Sequence, residues 1–389
     1  MGDHSAMSGR VILFGATGYT GRLTAQSLAQ RGITDTVLAG RNESSLQELA
    51  AQLRSEHDWD VEVAVADVAT PRTVSALVNS SDDVLISTVG PFSVHGGPAI
   101  EAATSTGAIY IDSTGEPPFI RRVFEYYGPR AHRTGATLLT AFGYDYIPGN
   151  LAGVLALRDA REAGFITDRL EIGYFIDSHG SPDRTISGGT AASSVAILTQ
   201  AGFAFRDGGI VTERPAAHVR EFELDGRQLA GLSLGGTEHF TLPRIDHNLR
   251  EVSVFLGWAG PQTAKLAKLR GVLDPFTRIP YSGTLVSSVG RRFVKGSTGG
   301  PSATERAQSR TVAVAEAFLG ERRVGRAVVK GPNPYELTAD LLAMAADAAR
   351  KGDLGLGSAR RTGALGPADA FGQTAFIRGC RSVALLAAH

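Results

Sequence analysis

The sequence predicts an α/β protein, a doubly wound parallel sheet over residues 1–150 followed by a second, mixed α+β domain. Three observations carry that expectation. Short apolar runs alternate with amphipathic stretches six times between residues 11 and 141. A glycine-spaced turn directly follows the first run. The alternation stops after Asn150. Buried parallel strands read as continuous apolar runs, and crossover helices as segments with one apolar stripe, so the repeated pair is the pattern of βαβ units.

Val11-Ile12-Leu13-Phe14 is the first strand, and residues 20–30, with Leu23, Ala25, Leu28 and Ala29 among polar neighbours, form the first helix. Residues 36–39 and 44–53 repeat the pair, with Leu46, Leu49, Ala50 and Leu53 on the helix stripe. Residues 61–66 are the third strand, and residues 70–78 a helix with Pro71 in its first turn, where the missing N–H costs little. Residues 84–87, 98–106 and 108–111 give strand, helix and strand. A longer helix is expected over 118–132, broken or kinked at Gly128-Pro129, before a sixth strand over 137–141. Such a Rossmann-type sheet binds ligands at the carboxyl ends of its strands, where strand order reverses.

Residues 151–350 are expected to form the α+β substrate and dimerisation domain. Strands are predicted over 170–176, 221–224 and 252–256, with a tight turn at Asp225-Gly226. A glycine pair followed by an apolar helix is expected over 187–205, and a hairpin from 310–319 and 326–330 around Gly320-Glu321-Arg322-Arg323. Residues 334–350 are a helix, apolar at Leu337, Leu341, Leu342, Met344 and Ala345, which together with an open sheet face suits a homodimer. Residues 351–389 read as a linker and a C-terminal helix, 368–386, returning to the first domain.

Bulk properties narrow the partners. The chain has 389 residues, more than one ordinary core. Its 39 basic and 39 acidic residues balance, leaving no electrostatic footprint for nucleic acid or anionic membranes. No apolar run reaches the roughly 18 residues of a transmembrane segment, and the polar first ten residues lack the apolar core of a signal peptide. The single cysteine, Cys380, excludes internal disulfides and fits a reducing cytoplasm. A soluble cytoplasmic protein acting on a small molecule is expected.

After the first strand comes Gly15-Ala16-Thr17-Gly18-Tyr19-Thr20-Gly21, spaced G-x-x-G-x-x-G instead of the commoner G-x-G-x-x-G. Gly15 suits the tight turn, Gly18 a close approach of backbone to pyrophosphate, and Gly21 close packing of helix on strand, with the helix N-terminus facing the phosphates. Gly15, Thr17, Gly18, Tyr19, Thr20 and Gly21 are therefore candidate cofactor residues. The second strand ends at Ala39-Gly40-Arg41, where an NAD enzyme carries an acidic residue; Arg41 instead suits a 2′-phosphate and points to NADPH. Asp67, after the third strand, serves equally well as an adenine-edge contact or as a helix cap.

Gly15 to Gly21 with Arg41, then Val89-Gly90-Pro91-Phe92, Tyr110-Ile111-Asp112-Ser113-Thr114-Gly115-Glu116 and Ala141-Phe142-Gly143-Tyr144-Asp145-Tyr146-Ile147-Pro148-Gly149-Asn150, resemble the saccharopine dehydrogenase-like oxidoreductases. Within that family the chain resembles the actinobacterial trans-acting enoyl reductase branch, with Tyr144 where members commonly have phenylalanine. The resemblance implies a reductase using NADPH on C=C bonds of polyketide-type, free or carrier-bound substrates, or on C=N bonds of amino-acid adducts.

The residues support a crevice independently. Val89, Gly90, Pro91 and Phe92 follow the fourth strand, where Phe92 is placed to wall the nicotinamide; Thr114-Gly115-Glu116 follow the fifth, and Tyr144-Asp145-Tyr146 the sixth. Reduction of a double bond needs a proton as well as a hydride. The candidate donors are Tyr146 first and His95 second, with Tyr144, Asp145 and Glu116 beside them; the alternative is that Asp145 caps the turn into Pro148, the tyrosines pack and His95 is a solvated loop residue. Metal-ligand spacing is lacking, so no metal is expected. No tyrosine of these loops has a lysine four residues on, and Gly231-Leu232-Ser233-Leu234-Gly235 matches a hydrolase elbow without its context. Ser187-Gly188-Gly189-Thr190 reads as a helix start facing an anionic group or as a packing turn. An imine reductase for amino-acid adducts needs clustered arginines, whereas Arg184, Arg206 and Arg244 are scattered; a noncatalytic NADPH-binding protein is the third alternative.

Overall fold

The structure, a computed structural model, describes residues 9–178, 201–257, 299–354 and 360–388. The Ser187-Gly188-Gly189-Thr190 run, most of the helix expected around it, Arg184 and residues 355–359 of the expected linker lie outside these residues. The described residues fall into two compact units. One draws on Met1–Gly115, Phe119–Asp145 and Tyr335–Gly379, the other on Glu116–Pro118, Tyr146–Pro334 and Cys380–His389.

In the first unit the chain runs β1 (Val11–Phe14), α1 (Tyr19–Gln30), β2 (Thr36–Gly40), α2 (Glu43–His57), β3 (Glu62–Val65) and α3 (Pro71–Ser75). It continues through β4 (Val84–Ser87), α4 (Phe92–His95), α5 (Gly97–Thr106), β5 (Ile109–Asp112), α6 (Pro117–Arg122), α7 (Gly128–Thr134) and β6 (Thr137–Leu139). All pairings are parallel, in the order β6-β5-β4-β1-β2-β3, so strand order reverses between β1 and β4. The apolar runs of β1, β4 and β5 are completely enclosed, as strands with helices on both faces must be. The break expected at Gly128-Pro129 takes the form of a π-helical turn, Val123–Tyr127, between α6 and α7. Pro129 has no N–H for the regular ladder, and the wider turn accommodates its ring.

Three expectations about the C-terminal part are corrected. The helix Pro334–Arg350, expected in the second domain as a dimer face, belongs from Tyr335 onward to the first unit. Its Leu337, Leu341, Leu342, Met344 and Ala345 are all buried, Ser27 Oγ donates to Asp340 Oδ1 at 2.7 Å, and the Tyr144 N–H donates to Thr338 Oγ1 at 3.0 Å. The apolar stripe is thus a core face, and it supplies no argument for a homodimer. The linker expected over 352–366 contains the strand Gly363–Ala364, which pairs with β6 as the seventh strand of the sheet. Arg360 fixes it by donating to the carbonyls of Gly107 and Gly135. The expected last helix is divided into Pro367–Phe371 and Gln373–Ser382 at Gly372 (φ 74°), and Leu386–Ala388 then forms a strand in the second unit.

The second unit opens with α8 (Ile147–Glu162) and β7 (Arg169–Ser178). Next come β8 (Gly202–Arg206), β9 (Gly209–Glu213), β10 (Val219–Leu224), β11 (Arg227–Ser233), β12 (Glu251–Leu256), β13 (Ser309–Leu319) and β14 (Arg322–Gly331). The sheet runs β10-β11-β12-β7-β13-β14 and then Leu386–Ala388, with the β8–β9 hairpin attached to β12. Asp225 (φ 50°) and Gly226 (φ 72°) make the expected tight turn of the β10–β11 hairpin. The helix expected through Phe205 gives way by residue 202 to β8, because Asp207 (φ 50°) and Gly208 (φ 83°) form the same kind of turn and fold β9 back on it. α8 lies on β13 and β14 so closely that a Cβ on Gly325 would meet the Ala156 carbonyl oxygen at 2.4 Å. Phe175, Phe222, Phe255, Val312 and Val314 form a further buried cluster. Ser233 of the Gly-x-Ser-x-Gly stretch is an antiparallel strand residue whose Oγ accepts from the His218 N–H at 3.0 Å, so it is no nucleophile elbow. No helix of the described residues is long and apolar enough to cross a membrane.

Candidate cofactor and active site

The glycine loop occupies the point where strand order reverses. Gly15 leaves β1 at φ 92°, and its N–H and that of Ala16 both donate to the Ala39 carbonyl at the end of β2. That conformation is open to glycine and strained for other residues. The Gly18 N–H donates back to the Gly15 carbonyl at 3.0 Å, closing the turn. A Cβ on Gly21 would sit 2.1 Å from that same carbonyl oxygen, so the third glycine sets the distance of α1 from the turn. Gly18 is the N-cap of α1, is exposed, and offers no side-chain cap. An uncapped N-terminus of a twelve-residue helix, carrying partial positive charge, fits a pyrophosphate. Thr17 and Thr20 flank it half-buried, and Tyr19 packs edge to face against Tyr335, centroids 5.1 Å apart.

At the end of β2, Arg41 is exposed and, among the described residues, has no ion pair or hydrogen bond. The helix that follows does not need it: Asn42 Oδ1 caps α2 by accepting from the Ser45 N–H at 3.0 Å. Asp67, after β3, is not a helix cap; Thr70 is the N-cap of α3. Its Oδ1 accepts from the Ala69 N–H at 2.9 Å, and it stays half-buried on the same sheet edge as Arg41.

On the other side of β1, Thr88 and Val89 leave β4 against the glycine loop. Thr88 Oγ1 lies within hydrogen-bonding distance of the Phe14 and Gly15 carbonyls, and a Cβ on Gly15 would meet Val89 at 2.9 Å. Gly90-Pro91 is exposed and cis. Phe92 is buried against Phe119, centroids 5.7 Å apart, because α4 turns it into the core. His95 ends α4, half-buried.

β5 and β6 end in a buried carboxylate network. Asp112 accepts from the Thr114 N–H (2.9 Å), the Ala141 N–H (2.9 Å) and Thr140 Oγ1 (2.8 Å), which fixes the two loops to one another. Burial pushes its carboxyl up to about 6, with those donors opposing the rise. Tyr144, buried, is held through its N–H by Thr338. Asp145 follows. As a residue it is half-buried, but its Oδ1 is fully enclosed and, among the described residues, has no hydrogen-bond partner. Burial pushes its carboxyl up to about 7. A Cβ on Gly115 would lie 2.7 Å from Oδ2, so only glycine leaves the carboxyl its place.

Tyr146 and Glu116 belong to the second unit. Tyr146 is wholly enclosed, its ring edge to face with Tyr174 at 5.8 Å. Around it, Tyr174 Oη accepts from the Gly149 N–H (2.7 Å) and lies 2.5 Å from Glu238 Oε1, while Asn150 joins the Tyr146 carbonyl to Thr237 and Thr241. Tyr335, Thr338, Tyr174 and Glu238 escape sequence reading. They lie in helices and strands far along the chain, with no local motif. Among the described residues no group of histidine, cysteine, aspartate or glutamate side chains has the arrangement of a metal site.

The fold and loop define a dinucleotide-binding unit of Rossmann type. Residues 11–139 match the family described as saccharopine dehydrogenase NADP binding domain. Curated relatives include a trans-acting enoyl reductase of Mycobacterium leprae (strain TN), 35% identical over 196 residues, covering 49% of this chain and 44% of that protein. Another, of Mycobacterium tuberculosis (strain ATCC 25618 / H37Rv), is 37% identical over 143 residues, covering 36% of this chain and 34% of that protein. The matches therefore span less than half the length of these relatives. Among solved structures, apo saccharopine dehydrogenase (L-Glu forming) of Saccharomyces cerevisiae superposes with a TM-score of 0.61 at 13% identity, covering 98% of this chain and 99% of that one. The homospermidine synthase of Legionella pneumophila gives 0.56 at 10% identity, covering 98% and 91%. At those identities the likeness is one of fold.

Proposed function

We propose that this chain is an NADPH-dependent reductase of a polarised double bond, acting on the C=C of an enoyl or polyketide-type substrate. When bound, the nicotinamide supplies the hydride. Gly15, Gly18 and Gly21 with the N-terminus of α1 hold the pyrophosphate, Arg41 the 2′-phosphate, and Val89, Gly90 and Pro91 line the nicotinamide ribose side. The observation that carries the reading is the single sheet edge on which these groups stand. A glycine cradle follows β1, an exposed arginine with no partner among the described residues follows β2, and a buried carboxyl follows β6. The names of the mycobacterial relatives support an enoyl substrate, free or carrier-bound, and NADPH chemistry with a single buried cysteine suits a cytoplasmic setting.

Reduction of amino-acid-derived imines is the second reading, favoured by the yeast fold neighbour. It is weakened by Arg206, which is committed to Ser253 Oγ at 2.8 Å and Glu213 Oε1 at 3.2 Å and so is not free for a substrate carboxylate. The test mixes the protein and 4-deuterated NADPH with panels of enoyl thioesters, cyclic imines and keto acids and follows the label. Transfer to enoyl thioesters supports the proposal. Transfer to imines alone moves the assignment, and tight binding without transfer to any panel makes the protein a noncatalytic NADPH binder.

A further inference from the structure

We propose that Asp145 is the catalytic acid of this reduction, giving its proton to the α-carbon of the substrate. The inference rests on the enoyl reading above and names the group that reading leaves open. Of the sequence candidates, Tyr146 is enclosed within the second unit against Tyr174, and Tyr144 is buried and tied through its backbone to Thr338. Asp145 differs from both in its place and exposure. It follows β6 at the ligand-binding edge of the sheet and retains partial exposure, and among the described residues its enclosed Oδ1 has no hydrogen-bond partner, a feature Tyr146 Oη shares inside the second unit. An ionised carboxylate in that position forgoes its usual donors, so burial favours the neutral acid, the form able to give a proton. Among the described residues burial is the one cause acting on it, and no basic side chain offsets it. The titratable groups beside it are Tyr335, on which its charge acts directly, and Tyr19, which packs on Tyr335.

Gly115 is part of the device. Its missing side chain is the space the carboxyl occupies, since a Cβ there would stand 2.7 Å from Oδ2. In the proposed step, hydride adds to the β-carbon and the electron pair of the double bond moves to the α-carbon and its carbonyl. The Asp145 O–H bond then breaks as the α-carbon–hydrogen bond forms, and water reprotonates the carboxylate. One hydride and one proton are consumed for each double bond reduced.

Two measurements test it. Infrared difference spectra of the protein, wild type minus Asp145→Asn, are expected to show a carboxylic-acid C=O band at pH 6 that fades as pH rises through about 7. Single-turnover oxidation of NADPH by an enoyl thioester is expected to slow by about 10²-fold or more in Asp145→Asn, with NADPH affinity retained and part of the rate recovered in Asp145→Glu. Gly115→Ala is expected to slow it as well while keeping the carboxyl. An Asp145→Asn protein that reduces the thioester at the wild-type rate overturns this inference and leaves the functional reading intact, as does a carboxyl found ionised at pH 5. A wild-type protein that transfers hydride to no enoyl thioester overturns both.

Discussion

Tyr19 and Tyr335 meet edge to face, ring centroids 5.1 Å apart and planes at 89°. Tyr19 is the first residue of α1, whose N-terminus is proposed to hold the pyrophosphate, and Tyr335 lies in the first turn of the helix Pro334–Arg350, more than 300 residues further along. The contact fixes a C-terminal helix to the cofactor loop. Burial, then the neighbouring Tyr19 and Asp145, hold the Tyr335 hydroxyl above its ordinary range. One ring therefore stands beside both the phosphate cradle and the carboxyl after β6.

Removing that ring is expected to loosen the loop. An aromatic pair of this geometry contributes about 0.5–1.5 kcal/mol beyond the area it buries. Tyr335→Leu is expected to lose roughly 1 kcal/mol of stability and to weaken NADPH binding, whereas Tyr335→Phe keeps both near wild type. Chemical denaturation and a fluorescence titration read the two quantities. Unchanged affinity in Tyr335→Leu would mean that the helix does not support the loop.

Gly18 and Gly21 are expected to fail differently. Gly18 is exposed, and a Cβ there meets nothing nearer than the Gly15 carbonyl oxygen at 3.3 Å. Gly18→Val should keep the melting temperature and lose NADPH binding, because the added atoms occupy the ligand's place. At Gly21 the new atom meets backbone at 2.1 Å, so Gly21→Ala should lower the melting temperature as well. Differential scanning fluorimetry with and without NADPH separates the two. Equal loss of stability in both variants refutes the distinction.

Much of the first unit was legible because its signals are local. β1 to β6, the glycine loop and Arg41 are carried by runs of four to seven residues, and the strands stand where the apolar runs placed them. What was missed is non-local. Gly363–Ala364 is too short to show a period and becomes a strand only through its pairing with β6. The stripe of Pro334–Arg350 announced a buried face without saying which unit buries it. At the site, sequence placed Phe92, Asp145 and Tyr146 at strand ends, but side-chain direction decided their surroundings. Phe92 turns to Phe119, Tyr146 to Tyr174, and Asp145 is left with an unbonded oxygen. No spacing rule distinguishes a tyrosine facing a crevice from one facing a core.

His239 gives the second unit an acid-sensitive step. It is buried, with Nδ1 3.0 Å from the backbone of Gly236, and burial pushes its imidazole down to about 4 from an ordinary 6.5. A folded-state value below the unfolded one means that the unfolded chain takes up the proton first. Stability is therefore full above about pH 6.5 and falls as pH drops towards 4, by up to about 3 kcal/mol. His239→Gln is expected to flatten that part of the profile. Urea unfolding at pH 7, 6, 5 and 4.5 checks it, and a wild-type profile with no slope beyond that of the variant would show that His239 titrates alike in both states.

Arg41 should decide between the two nicotinamide cofactors. It stands exposed directly after β2, no acidic residue ends that strand, and Glu43 belongs to the first turn of α2. Asn42 caps that helix, which leaves Arg41 no structural task, and among the described residues it has no partner. A guanidinium so placed can meet a 2′-phosphate with charge-assisted hydrogen bonds, each contributing about 1.5–3 kcal/mol. Arg41→Ala is accordingly expected to raise the Kd of NADPH about 10- to 100-fold and to leave that of NADH unchanged. The preference should also shrink with added salt, since an exposed ion pair is screened while the glycine cradle, shared by both cofactors, is affected alike for each. Arg41→Lys should keep part of the preference, as a point charge without the planar fork. Isothermal titration of both cofactors at low and high salt measures all of this. If wild type binds NADPH and NADH equally, or if Arg41→Ala weakens both to the same extent, the 2′-phosphate is not read by Arg41.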